Sequence, residues 1–330
     1  MTPREPFQTE TLIPTIPEES WTGRLVVKNI LCPVDFSEFS LRAFRYAVGI
    51  ARHFQARLFV QHTLHLATDM LLEELETSTA RQALQFSRQE ADHRLRGLLT
   101  ESGARESEAF TLINEGDIRD RIMETVAEQK IDLVVMGTHG HKGFNRLVLG
   151  SVAEHIVHEV ICPVLVICRP ETGFVNLENT EAVHLKTILT ATDFSPNSGR
   201  ALAHALRWAS EWGGKVTLFH VVQEPPSRMH GLLDLLPEFN PYFDKEVAEA
   251  WEKIHKVIPR AALSRCDVSY EVRQGNPREQ ILQYAAQKKP DLIVMGARGL
   301  GRSNVVWGST ISEVVRDGRF PVLAVRHLPD

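Results

Sequence analysis

The sequence predicts an α/β protein made of two tandem, doubly wound, Rossmann-like domains, each with a five-stranded parallel sheet. Three observations carry that expectation. Short β-branched and apolar runs alternate with longer segments of helical period, the pattern of βαβ units. The whole pattern occurs twice in one chain. A glycine-rich stretch follows the fourth apolar run of each copy, GTHGHKGFNRLVLGS from Gly137 to Ser151 and GARGLGRSNVVWGS from Gly296 to Ser309.

Length and composition allow this. The chain has 330 residues, 43% hydrophobic and 24% charged, enough for two ordinary domains with a core each. Its formal net charge of −5 argues against a general nucleic-acid or anionic-membrane surface, which usually shows a basic excess. No apolar run approaches the ~20 residues needed to span a bilayer. The first residues, MTPREPFQTETLIPTIPEES, lack the basic flank and apolar core of a secretory signal, so a cytoplasmic protein is expected. Cys32, Cys162, Cys168 and Cys266 form no C-x-x-C pair and read as buried, reduced thiols.

The elements follow in order. Residues 1–24 are polar with four prolines and read as a loose N-terminal arm. The first domain, residues 25–169, has apolar runs at about 28–35, 57–64, 108–114, 132–137 and 163–168. Between them, SLRAFRYAVGIARHF (Ser40–Phe54) puts Ala43, Tyr46, Ala47 and Ile50 on one stripe, the i, i+3, i+4, i+7 spacing of a helix with one buried face. Near-continuous runs such as LVVM and LIVM fit central strands covered on both faces. Residues 170–184 read as a linker, and residues 185–330 as the second domain, where ALAHALRWASEW (Ala201–Trp212) repeats the helical stripe. Residues 223–243, QEPPSRMHGLLDLLPEFNPYF, are an apolar, proline-broken insertion that suits core packing, a lid or a partner surface.

The repeat can be aligned residue by residue. NILCPVDFS (Asn29–Ser37) returns as TILTATDFS (Thr187–Ser195), DLVVMGTHG (Asp132–Gly140) as DLIVMGARG (Asp291–Gly299), and CPVLVICR (Cys162–Arg169) as FPVLAVRH (Phe320–His327). Asp35 recurs as Asp193, Gly150 as Gly308 and Pro163 as Pro321, each 158 residues on, and Gly137 as Gly296, 159 residues on. The second copy therefore gains one residue before its glycine loop and loses one inside it.

In doubly wound sheets, ligands sit beyond the carboxyl ends of the strands where the strand order reverses. With order 3-2-1-4-5, the first and fourth strands flank that point, so Asp35 and the first glycine loop share a crevice, as do Asp193 and the second. Glycines let backbone N–H groups approach a ligand closely. The first loop ends in Gly150-Ser151 before the helical run VAEHIVHEV, and a helix N-terminus is a standing anion site. Lys142 and Arg146 add positive charge. A phosphate suits the loop, and an aspartate across the crevice suits sugar hydroxyls or an exocyclic amine. Together these describe a nucleotide. There is no G-x-x-x-x-G-K-[ST] and no G-x-G-x-x-G after a first strand, so neither a P-loop nor a dinucleotide fingerprint is present.

The motif G-x2-G-x9-G-[ST] after an M-G strand end, the P-x-D-x-S start and the closing P-V-L-V strand resemble the universal stress protein family, over about residues 25–169 and 184–327. The resemblance implies a bound adenine nucleotide (ATP, ADP or AMP), with pairing through the last strand. A tandem chain would then form an internal pseudo-dimer, with further homo-oligomers open to it. It assigns Asp35 to the adenosine end, Thr63 to the base through its backbone and Met136 with Gly137 along the nucleoside. Gly140, Gly150, Ser151 and Val152 take the phosphates, and His139 is a further donor to them. In the second copy Asp193, Val221, Gly296, Gly299, Gly308 and Ser309 correspond. There the last two glycines are separated by eight residues instead of nine, which favours the first site.

Phosphoryl transfer needs metal placement and an oriented nucleophile, and both glycine loops lack Asp and Glu. Mg2+ would be held by phosphates, Ser151 and water alone. The expectation is a stress-response regulatory protein that binds nucleotide with little or no turnover. A slow ATPase and an assembly or docking protein with empty sites are the alternatives. The S-G-G-x-D-S loop of ATP pyrophosphatases and the H-x-G-H signature of adenylyl-transferring relatives are absent. His155 and His158 on the helix, with His139 and His141 in the loop, lack Cys or carboxylate at zinc-ligand spacing and read as helix-surface and loop residues.

Overall fold

The computed structural model describes residues 19–64, 78–103, 108–138, 150–167, 173–176, 183–223, 240–297 and 309–326. Two copies of one βαβ succession follow each other. After a short helix α1 (Glu19–Thr22), the first comprises β1 (Asn29–Pro33), α2 (Glu38–Phe54), β2 (Arg57–Leu64), α3 (Ser78–Ser102), β3 (Ala109–Glu115), α4 (Ile118–Glu128), β4 (Leu133–Gly137), α5 (Ser151–Glu159) and β5 (Val164–Ile167). The second comprises β6 (Thr187–Thr192), α6 (Pro196–Trp212), β7 (Lys215–Val222), α7 (Asn240–Val257), the single turn α8 (Arg260–Leu263), β8 (Asp267–Gln274), α9 (Pro277–Lys288), β9 (Leu292–Gly296), α10 (Ser309–Asp317) and β10 (Val322–Val325).

Within the first half the strand order is 3-2-1-4-5 and all pairings are parallel; the second half repeats it as β8-β7-β6-β9-β10. The halves meet where β5 and β10 pair antiparallel, Val166 opposite Val322 and Leu165 opposite Leu323, so one ten-stranded sheet runs through the molecule. The central strands β1, β4 and β9 are apolar along their length because both sheet faces are covered. One face carries Ala43 and Ala47 of α2, Leu95 of α3, Ala201 and Leu202 of α6 and Ile254 of α7 in a single core. The other carries Ile122 of α4, Ile156 of α5, Ile281 of α9 and Ile311 of α10. The predicted stripe of α2 is the buried one: Ala43, Tyr46, Ala47 and Ile50 are at most 1% exposed.

Three segments differ from the sequence reading. The end of the expected loose arm is packed: Trp21 is buried in the first core, as is Leu25 just beyond the arm, and Arg265 Nη1 donates to the Thr22 carbonyl at 3.0 Å. Two residues of the expected linker, Phe174 and Val175, are also core. Phe174 is buried edge-on against both Tyr46 and Trp208, and Val175 bridges to Val183. His158, expected at the helix surface, is 1% exposed, on the buried side of α5 with Ala153, Ile156 and Val157. Residues 224–239 of the 223–243 insertion lie outside the described residues, and its last four residues begin α7. No helix among the described residues is long and apolar enough to cross a membrane.

Candidate functional site

The site begins at the turn that joins β1 to α2. Val34 still donates to the Gln61 carbonyl at 2.8 Å, and then the chain leaves the sheet through Phe36 with φ +62°. A non-glycine residue in the left-handed region needs local support, and Asp35 supplies it. Its Oδ1 accepts from the Ser37 N–H at 3.0 Å and the Ser37 hydroxyl at 2.6 Å. Ser37 in turn caps α2 by accepting from Ser40 N–H at 3.3 Å. The sequence D-F-S thus fixes the aspartate at the mouth of the sheet. Beside it, His62 Nδ1 lies 2.8 Å from the Val34 carbonyl, its ring 4.7 Å from that of Phe36, and the Arg94 guanidinium sits 3.9 Å from the Phe36 centroid.

The other wall is the end of β4. Leu31 pairs with Val134, so counting equally along both strands brings Asp35 level with Thr138. Pro33 pairs with Gln61, which by the same count sets Thr63 level with Asp35 on the far side. Gly137 lies hard against the start of α2: a Cβ there would be 2.9 Å from the Phe39 carbonyl carbon and 3.0 Å from Ser40 N. Only glycine lets β4 and the first turn of α2 meet this closely. The buried Thr138 accepts from Gly150 N–H at 2.8 Å, so the two ends of the glycine loop are tied together.

Gly150 then serves as N-cap of α5 with no side-chain cap, and its carbonyl accepts from Glu154 N–H at 3.0 Å. The first N–H groups of a helix lack intrahelical acceptors. The glycine cap offers them no side chain, and the Gly150–Thr138 bond holds this positive end of the helix beside the end of β4. Ser151 is exposed and Val152 half-buried at this end.

The second half repeats the construction. Ser195 N–H donates to Asp193 Oδ1 at 3.0 Å, Phe194 has φ +61°, and Ser195 caps α6. His220 Nδ1 lies 2.8 Å from the Thr192 carbonyl, its ring 4.4 Å from Phe194. Burial, first of all, holds the His220 pKa below its ordinary value, so the ring is neutral near neutral pH. A Cβ on Gly296 would meet Asn197 backbone at 3.0 Å.

The structure therefore brings Asp35, Thr63, Gly137 and Gly150–Val152 to the carboxyl ends of β1, β2 and β4, and Asp193, Val221 and Gly296 to the matching ends in the second half, where Ser309 opens α10. Met136 and Val221 turn their side chains into the core, 4% and 8% exposed. His139, Gly140, Gly299 and Gly308 lie outside the described residues, as do Lys142 and Arg146. Sequence reasoning did not single out Phe36, His62 and Arg94, nor Phe194 and His220. The signal for four of them was present, since Phe36 and His62 recur as Phe194 and His220 at the common offset of 158.

Comparison with known proteins gives a consistent set of likenesses. The model of the universal stress protein family matches residues 27–167 and again 184–326. A universal stress protein of Methanocaldococcus jannaschii is 33% identical over 150 residues, covering 45% of this chain and 86% of that protein. One of Thermus aquaticus is 37% identical over 145 residues, covering 43% and 98%. Among solved structures, a universal stress protein of Archaeoglobus fulgidus aligns over 92% of this chain and 98% of its own, with TM-score 0.63 at 21% identity. This last likeness bears on the fold alone.

Proposed function

The chain belongs to the universal stress protein family, and from that premise we propose that it is a stress-response regulatory protein whose strand-end crevices bind an adenine nucleotide with little or no turnover. The observation that carries the reading is the pairing, in one crevice, of a turn-fixed carboxylate with an uncapped helix N-terminus. Asp35 is held by Ser37 at one end, and Gly150 opens α5 at the other. A carboxylate takes hydroxyl or amine donors and rejects phosphate; a free helix N-terminus does the reverse. A nucleoside phosphate has those two ends. In this reading Thr63, Met136 and Gly137 line the nucleoside by backbone, Gly150, Ser151 and Val152 hold phosphate, and His139 and Gly140 complete the loop. Mg2+ would be bound by phosphate oxygens, Ser151 and water. The glycine loops bring no carboxylate of their own, so no general base is assigned. Asp193, Val221, Gly296, Gly299, Gly308 and Ser309 form the second, weaker site, because a loop one residue shorter loses up to ~3.5 Å of reach. The two halves act as an intramolecular pseudo-dimer, a reading supported by the β5–β10 pairing.

The test is calorimetric titration with ATP of the wild type, Asp35→Asn and Asp193→Asn. Asparagine keeps an acceptor oxygen for the serine that follows, so the turn survives while the charge is lost. The tighter binding phase should disappear with Asp35→Asn and persist with Asp193→Asn. Micromolar affinity corresponds to about 8 kcal/mol, and loss of one charge-assisted contact should weaken it by ~10- to 100-fold. Binding unchanged in both variants would remove the nucleoside from this end of the crevice.

A further inference from the structure

Away from both crevices, the segment that begins with α1 closes a polar pocket of about 280 Å³ against α6. Its lining includes Trp21, Arg24, Arg207, Ser210, Glu211 and Arg265. Three guanidinium groups thus face one carboxylate, and that carboxylate is engaged elsewhere, with Glu211 Oε1 3.1 Å from His53 Nε2. Arg265 spends one N–H on the Thr22 carbonyl. Among the described residues, none of Arg24, Arg207 and Arg265 forms an ion pair with a carboxylate. Behind this lining, the indole N–H of Trp21, a residue 4% exposed, and the Nε–H of Arg207 are buried without a hydrogen-bond partner and do not reach the pocket's surface. His204, one turn before Arg207 on α6, is pushed down to about 4 by burial and then by Arg207 and Arg200. It is neutral near neutral pH and adds no charge of its own.

Guanidinium groups that line one pocket repel one another unless an anion lies between them. The excess here is all on the donor side. The geometry points to a further ligand site in this pocket, for a small phosphate-bearing anion held by Arg24, Arg207 and Arg265 beside the Trp21 ring. A tetrahedral dianion offers several acceptors to several forks at once, which a single carboxylate does not. The volume lies at the small end for ligand sites, about 300 Å³ and upward, so it admits orthophosphate, pyrophosphate or a short organic phosphate but no whole nucleotide. Because Trp21 and Arg24 precede the first half while Arg207 and Arg265 belong to the second, the bound anion would clasp the two together.

The indole N–H of Trp21 is a local reporter. The full chain, labelled with 15N, has five tryptophans, and the Trp21 resonance is assigned with Trp21→Phe. Inorganic pyrophosphate and, separately, glycerol 3-phosphate are titrated at constant ionic strength with saturating ATP present, so that phosphate sites in the crevices are blocked. The Trp21 resonance should move saturably, and Arg207→Gln with Arg265→Gln should weaken that response at least 10-fold while leaving the other four indole resonances in place. If the double variant loses its fold, the exposed Arg24→Gln carries the same expectation at smaller amplitude. Tighter saturation by glycerol 3-phosphate assigns the site to an organic phosphate, and tighter saturation by pyrophosphate to a free one. A Trp21 resonance that does not move, that follows sodium chloride in the same linear way, or that responds equally in the arginine variants overturns the proposal.

Discussion

At Gly137 a single hydrogen atom decides whether the crevice can form. The nearest atoms to an added Cβ are backbone atoms of Phe39 and Ser40, which cannot swing aside as a long side chain would. Gly137→Ala should therefore push the first turn of α2 away from β4 and cost about 1–3 kcal/mol, with loss of the tighter nucleotide phase. Gly97, inside α3, has nothing within 4 Å of its missing Cβ. Gly97→Ala should stabilise the protein by roughly 0.5–1 kcal/mol through helix propensity. Denaturation midpoints of the two variants check the contrast, and equal shifts would show that Gly137 is not tight. The sequence marked Gly137 as a nucleoside neighbour, whereas its packing against α2 is sufficient to demand glycine. The aspartates opening DLVVMG and DLIVMG teach a similar lesson. Asp132 Oδ2 accepts from Lys28 and Asn29 N–H at 2.8 and 2.9 Å, and Asp291 Oδ2 accepts from Lys186 and Thr187 N–H at 2.9 Å each. Repetition in sequence singles out what the fold needs as readily as what a ligand needs. Asp35 could be told apart only by its place at the carboxyl end of its strand.

Among the elements, the regular ones were legible and the irregular ones were not, for a physical reason. The stripe of α2 and the runs of β1 and β4 carry their burial in a period of 3.6 or in unbroken apolar character. Trp21 and Phe174 stand in short segments without any period, and their burial is decided by helices far away in sequence. Phe174 is edge-on to Tyr46 of α2, with ring centroids 5.2 Å apart, and to Trp208 of α6, at 6.0 Å. It is a contact through which the linker joins the two halves on one face of the sheet. Phe174→Ala should cost ~3–5 kcal/mol, the usual range for a fully buried phenylalanine, and Phe174→Leu distinctly less. Urea denaturation followed by tryptophan fluorescence reads both. A cost below about 1 kcal/mol, the range of surface substitutions, would mean that the linker merely lies on the core.

Across the whole molecule, what a single half cannot do for itself is cover its last strand. β5 and β10 are buried throughout, four residues each, and every residue is at most 2% exposed. Cut apart, each half would present an apolar strand edge with unpaired N–H and C=O groups, which pairs readily with another chain. The two strands have nearly the same sequence, PVLV and PVLA, and meet antiparallel with Leu165 opposite Leu323. An antiparallel pair of equivalent strands has two-fold symmetry, so β5 of one copy can take β5 of another in the place of β10, an isologous contact that closes on itself. A fragment of residues 1–176, which keeps Phe174 over Tyr46, should then sediment as a dimer. Adding residues 183–330 should convert it to a one-to-one complex, because that contact regains the Arg326 Nη1 bond to the Glu159 carbonyl at 3.0 Å and the Phe174–Trp208 packing. Monomeric fragments that ignore each other at high concentration would place the cohesion of the halves elsewhere than in this strand pair.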